Sequence, residues 1–92
     1  AEVSGAMGGL PKLKVLLVED NAVNRHLVVR LLELSGHTVV TAENGAEGVK
    51  KAQEIAPDLI LMDMQMPVMD GEQATRTLRE QGCKTPIVAL TA

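Results

Sequence analysis

The sequence predicts an α/β fold, a doubly wound parallel sheet of strand order 2-1-3-4, and three observations carry that expectation. Short runs such as KVLLV, LILM and IVAL are apolar without alternation, as strands covered on both faces are. Longer amphipathic stretches separate them, giving the order β-α-β-α-β-α-β. Right-handed crossovers then leave few topologies. A fragment of a β/α barrel is the alternative, because local pattern does not separate an open sheet from a closing one.

The first strand is KVLLV, at 14–18, and it stops at Glu19-Asp20. Val23, Leu27, Leu31 and Leu34 follow at spacings of four and three, which marks a helix with one apolar face. Gly36 is the left-handed residue past its end. The β-branched stretch 38–42 is the second strand. Asn44 with Glu47 reads as a capping box, opening a helix whose small-residue face is Ala46, Val49, Ala52 and Ala56. Pro57-Asp58 breaks the chain before the third strand, LILMD. Asp70 with Gln73 repeats the capping signal for a helix ending at Gly82, and Thr85-Pro86 leads into the fourth strand, IVALT.

At 92 residues the chain suffices for one small domain, and 46% hydrophobic content supports a core. With no Phe, Tyr or Trp, that core must be Leu, Val, Ile, Met and Ala. The net charge of −3, with dispersed basic residues and no aromatic platform, argues against nucleic acid as a partner. Cys83 is alone, which excludes an internal disulfide and fits a reducing compartment. No apolar run approaches the ~20 residues of a membrane span, so membrane contact by this segment is not expected. Residues 1–12, opening AEVSGAMGG, lack signal-peptide features and read as a flexible leader; the folded unit is 13–92.

Two strands end on acids, VLLVED and LILMD. An unpaired buried carboxylate is costly, so Asp63 needs a partner, a cation or an exposed strand end. Taken alone, Asp63 is as well explained by a strand-terminal acid closing a turn. In the order 2-1-3-4, however, the first and third strands are neighbours ~4.8 Å apart at the switch point. Glu19, Asp20 and Asp63 then crowd together and repel unless a cation sits among them. Hard oxygen donors suit Mg²⁺ or Mn²⁺. A carboxylate so neutralised can act as a nucleophile toward phosphorus and become an aspartyl phosphate.

VLLVEDN, LILMDMQMPVMDG and TPIVALTA, in this order and spacing, resemble the receiver domain of two-component response regulators. EDN followed by NR, and the MQMPVMDG loop, are most similar to receivers of hybrid sensor histidine kinases. The resemblance runs from about Leu13 to Ala92. It implies a flavodoxin-like fold accepting a phosphoryl group from a phosphohistidine on a histidine kinase or histidine phosphotransfer protein, in the cytoplasm. Asp63 matches the phosphoacceptor. Glu19 and Asp20 match the acidic pair holding Mg²⁺, with the backbone carbonyl of Gln65 as a further ligand. Thr91 matches the hydroxyl residue that closes on the phosphoryl oxygens; without the resemblance it reads equally as a plain β-former.

One departure is large. Receivers of this family continue into a fifth strand and helix, carrying a lysine and an aromatic residue of the switch, and these are absent from this chain. A truncated, inactive fragment working as a structural or strand-exchanged unit is therefore the alternative function, with the fourth strand as a self-association edge. A phosphohydrolase with an aspartyl nucleophile ranks third, since Gln65 stands where such enzymes place a second acid. Nothing in the chain reads as a kinase catalytic domain. Asp70 reads as an N-cap, Met62 as core, and Met64, Met66 and Met69 as packing a loop over the site. His26 and His37 have no phosphohistidine setting, Cys83 is expected to be inert, and Glu47, Lys50, Lys51 and Glu54 form a solvated helix face.

Overall fold

The computed structural model describes residues 12–66 and 69–90. Seven elements alternate: β1 (Lys14–Val18), α1 (Ala22–Leu34), β2 (Thr38–Ala42), α2 (Gly45–Ile55), β3 (Leu59–Asp63), α3 (Gly71–Glu80) and β4 (Ile87–Leu90). All strand pairs are parallel and the order is β2-β1-β3-β4. The sheet is therefore the doubly wound arrangement read from the pattern. Thr91, expected to end the fourth strand, and residues 1–11 lie outside the described residues.

Helix ends form where short polar side chains replace missing backbone partners. Asn21, Asn44 and Asp70 each accept from the amide three residues on, at 2.9, 2.8 and 2.8 Å. Gly36 and Gly82 take φ of 89° and 87° just past α1 and α3, where a side chain would be strained. Ala56 adopts the same left-handed region at the end of α2, with φ 47°.

The pleat sends Leu16, Val18, Ile60 and Met62 to one face, where they join Val49, Ala52, Ala74 and Leu78 of α2 and α3 in a single core. The buried stripe of α2 is Gly45, Gly48, Val49 and Ala52, whereas Ala46 and Ala56 are exposed, which corrects the expected small-residue face. The glycines carry no hydropathy signal and so do not announce this face; what they supply is closeness. A Cβ on Gly48 would lie 2.7 Å from Val18 Cγ2. Met66, on the loop after β3, is buried in the core, and Met64 and Met69 pack against it.

The first helix brings a larger correction. It packs against β1 and β2, yet none of its residues is buried. Arg25, Val28, Val29 and Leu32 are half-buried. Val23, Leu27, Leu31 and Leu34, the stripe that announces the helix in the sequence, are 57–77% exposed. The helix carries two adjacent apolar stripes, and periodicity alone could not say which one meets the sheet.

Candidate acidic site at the strand ends

Register builds the site. Val18 is paired with Met62, so the next residue on each strand, Glu19 and Asp63, emerge side by side at the carboxyl edge. The Glu19 amide donates to the Ala42 carbonyl at 3.0 Å, extending the β1–β2 ladder by one residue and fixing where the turn begins. Asp20 follows on the exposed side of that turn. Oxygen atoms of Glu19, Asp20 and Asp63 all lie within 4.8 Å of one another, so the three acids expected at the site are brought together.

Their environments differ. Glu19 is buried, Asp63 half-buried and Asp20 exposed, so the costly burial belongs to Glu19 rather than to Asp63. Desolvation raises the Glu19 carboxyl above its ordinary value, and the neighbouring Asp63 carboxyl raises it further. Asn24 opposes this by donating to Glu19 Oε1 at 3.3 Å. Without a cation, then, burial and the neighbouring carboxylate favour a proton on Glu19. A divalent cation among the oxygens would remove the need for it, and an all-oxygen carboxylate set fits Mg²⁺ or Mn²⁺. The residues present fit the metal.

The loop after β3 is held to the site by main-chain contacts. The Gln65 amide donates to Asp63 Oδ1 at 3.0 Å, leaving Oδ2 free of that bond. A side chain on Gly71 would overlap the Asp63 carbonyl oxygen, and one on Gly45 would overlap the Met69 carbonyl. Gly45 instead donates its amide to that Met69 carbonyl at 3.0 Å, tying the start of α2 to the loop. Asp70 caps α3, as its spacing to Gln73 indicated. Pro67 and Val68 of the same loop, and Thr91, lie outside the described residues.

Two contributors have no role in the sequence reading, Asn24 and Arg25. Both sit in the first turn of α1 and reach back to the acidic turn. The pair NR after EDN was visible as a motif, but only the folded turn shows what it touches. His37 also has a part that its sequence context hides: its Nδ1 accepts from the Leu13 amide at 3.0 Å, beside the start of β1.

A parallel doubly wound sheet with clustered acids at its switch point defines a protein of the flavodoxin-like class. The chain belongs to the response regulator receiver domain family, whose family model matches residues 15–92. It is 46% identical over 84 residues to the two-component response regulator ORR41 of Oryza sativa subsp. japonica, covering 87% of this chain and 66% of that protein. It is 49% identical over 84 residues to the sensor protein GacS of Pseudomonas syringae pv. syringae, covering 86% of this chain and 9% of GacS. The chain thus spans about two thirds of the shorter relative and a small part of the longer one. Among solved structures, the receiver domain of sensor histidine kinase PA1611 from Pseudomonas aeruginosa PAO1 superposes with a TM-score of 0.85 at 40% identity, covering 89% of this chain and 69% of that one. That structure has a magnesium ion coordinated in its active site cleft. Among the described residues, no helix is long and apolar enough to cross a membrane.

Proposed function

We propose that the chain is a phosphoacceptor, taking a phosphoryl group onto Asp63 from a phosphohistidine of a histidine kinase or histidine phosphotransfer protein. The supporting observation is the convergence of Glu19, Asp20 and Asp63 within 4.8 Å, with Asp63 central in sequence between a buried strand and a pinned loop. In the proposed step an Asp63 carboxylate oxygen forms a bond to phosphorus while the phosphorus–nitrogen bond of the donor breaks; the imidazole departs with the electron pair and takes up a proton. Mg²⁺ or Mn²⁺, held by Glu19, Asp20, Asp63 and the backbone carbonyl of Gln65, would neutralise the acids and the phosphoryl oxygens. Asp63 supplies the nucleophile, with Oδ1 oriented by the Gln65 amide. Glu19 and Asp20 bring the charge that recruits the cation, and Asn24 keeps Glu19 turned inward. Thr91 contacts the phosphoryl group in this reading.

The same reading makes 13–92 the receiver unit and 1–12 a leader, places the domain in the cytoplasm, and makes it a switch that at most catalyses its own transfer. Intact mass after incubation with a small phosphodonor tests it: one phosphoryl addition is expected with Mg²⁺, and none with chelator or in Asp63→Asn. Equal labelling of Asp63→Asn, or no labelling of the folded chain, defeats the reading.

The exposed Val88 on β4, an edge strand of the described sheet, favours a second reading, a structural unit that self-associates through its fourth strand. A stable dimer in solution, indifferent to Mg²⁺, is its signature.

A further inference from the structure

We infer that Arg25 is a positioning residue of the acidic site: it holds the turn carrying Glu19 and Asp20 by their main-chain carbonyls, and so sets the affinity of the site for a divalent cation. The inference rests on the phosphoacceptor reading and extends it to a residue outside the ligand set.

The geometry is specific. Arg25 Nη1 donates to the Glu19 carbonyl at 3.0 Å and lies 3.5 Å from the Asp20 carbonyl. Its Nη2 lies 3.9 Å from Glu43 Oε1, on the loop after β2. The Arg25 side chain is only 21% exposed, while that of Glu43 is 68% exposed. Glu19 is thus fixed on both sides, its amide on Ala42 and its carbonyl on Arg25.

What the guanidinium avoids matters as much. It binds carbonyl oxygens of the acidic turn and leaves the carboxylate oxygens of Glu19, Asp20 and Asp63 to one another. An arginine paired with those carboxylates would compete with a cation for them. Held by the carbonyls, the turn is braced from behind and its oxygens stay spaced for a small ion, whose near-octahedral geometry tolerates little error. A planar fork suits this task. Lysine offers a single mobile ammonium without the rigid guanidinium plane, so it holds the Glu19 and Asp20 carbonyls less firmly. The Glu43 contact is long and exposed, so it contributes little by itself.

Charge and geometry make opposite forecasts, which gives the test its sign. If Arg25 acted only as a nearby positive charge, removing it would tighten cation binding. If it positions the turn, removing it weakens binding. Calorimetric titration of the full chain with MgCl₂ reads this directly, with circular dichroism confirming that each variant is folded. Arg25→Ala is expected to raise the Mg²⁺ dissociation constant by about tenfold, in the range typical of residues that orient metal ligands. Arg25→Lys is expected to recover part of that loss, and Glu43→Gln to stay within about twofold of wild type. Phosphoryl labelling of Arg25→Ala should return as Mg²⁺ is raised. Unchanged or tighter binding in folded Arg25→Ala overturns the inference. If that variant does not fold, Arg25→Lys decides: a wild-type dissociation constant overturns it and a weakened one supports it. A wild-type chain that binds no Mg²⁺ removes the phosphoacceptor reading and this inference with it, whereas binding that ignores Arg25 removes this inference alone.

Discussion

On one face of the sheet Leu16, Val18, Ile60 and Met62 lie fully buried under α2 and α3, while on the other α1 turns Val23, Leu27, Leu31 and Leu34 to solvent. Both helical layers are announced by similar apolar spacing, yet only one stripe is spent on this core. The difference shows that the apolar face of a helix identifies the helix but not its partner. The first face is closed by small residues that let backbone approach backbone. The second is covered by α1, which packs on β1 and β2 with Val28, Val29 and Leu32 half-buried and leaves Leu27, Leu31 and Leu34 outside. The acidic site lies along the carboxyl edge between these faces, drawing its loop from the closed side and its Arg25 brace from the open one.

Substitutions on the two faces should therefore differ sharply. Leu16→Ala, at a fully buried position, is expected to cost about 3 kcal/mol of unfolding free energy in a denaturant titration. Gly48→Ala should cost about 2 kcal/mol, because the new methyl meets Val18 in a filled interior. A cost near zero there would mean that the closed face is looser than its contacts indicate.

Glu19 gives a change of slope rather than a fixed loss. Its carboxyl is raised in the folded chain, so the folded state binds its proton more tightly than the unfolded chain does. The stability from that proton is complete below the ordinary value of 4.5 and is lost as pH rises through the raised value. In chelator, Glu19→Gln should therefore flatten the decline of melting temperature from about pH 4.5 upward. A wild-type slope in the variant would show that the burial cost lies elsewhere. Smallest of all, Leu27→Ser on the open stripe should shift stability by no more than about 0.5 kcal/mol. A loss as large as that of Leu16→Ala would show that the stripe is covered in solution.

The extent to which the sequence revealed this molecule follows the same division. Strands 14–18, 38–42 and 59–63 were legible to the residue because their apolar runs end at turn formers or acids. The caps Asn44 and Asp70 were legible because their bonds are local, to an amide three residues on. Glu19, Asp20 and Asp63 were legible as a group because a strand order places their ends together. Three features were not. Gly45 and Gly48 work through close approach, which composition does not record. The role of Arg25 depends on a side chain folding back to carbonyls of its own turn, and carbonyls are the same in every residue. The burial of Glu19 instead of Asp63 depends on which acid continues the β1–β2 ladder, a matter of register beyond the reach of local pattern.

The central claim is that the fold selects Asp63, among three clustered acids, as the residue that takes the phosphoryl group. Borohydride reduction of the chain after treatment with phosphodonor and Mg²⁺, followed by peptide mass spectrometry, tests it most directly, because an aspartyl phosphate is reduced to homoserine at the labelled position. Homoserine at position 63, dependent on Mg²⁺, is the expected result. Reduction at Asp20, or a label on a hydroxyl or imidazole side chain that survives reduction, would contradict it.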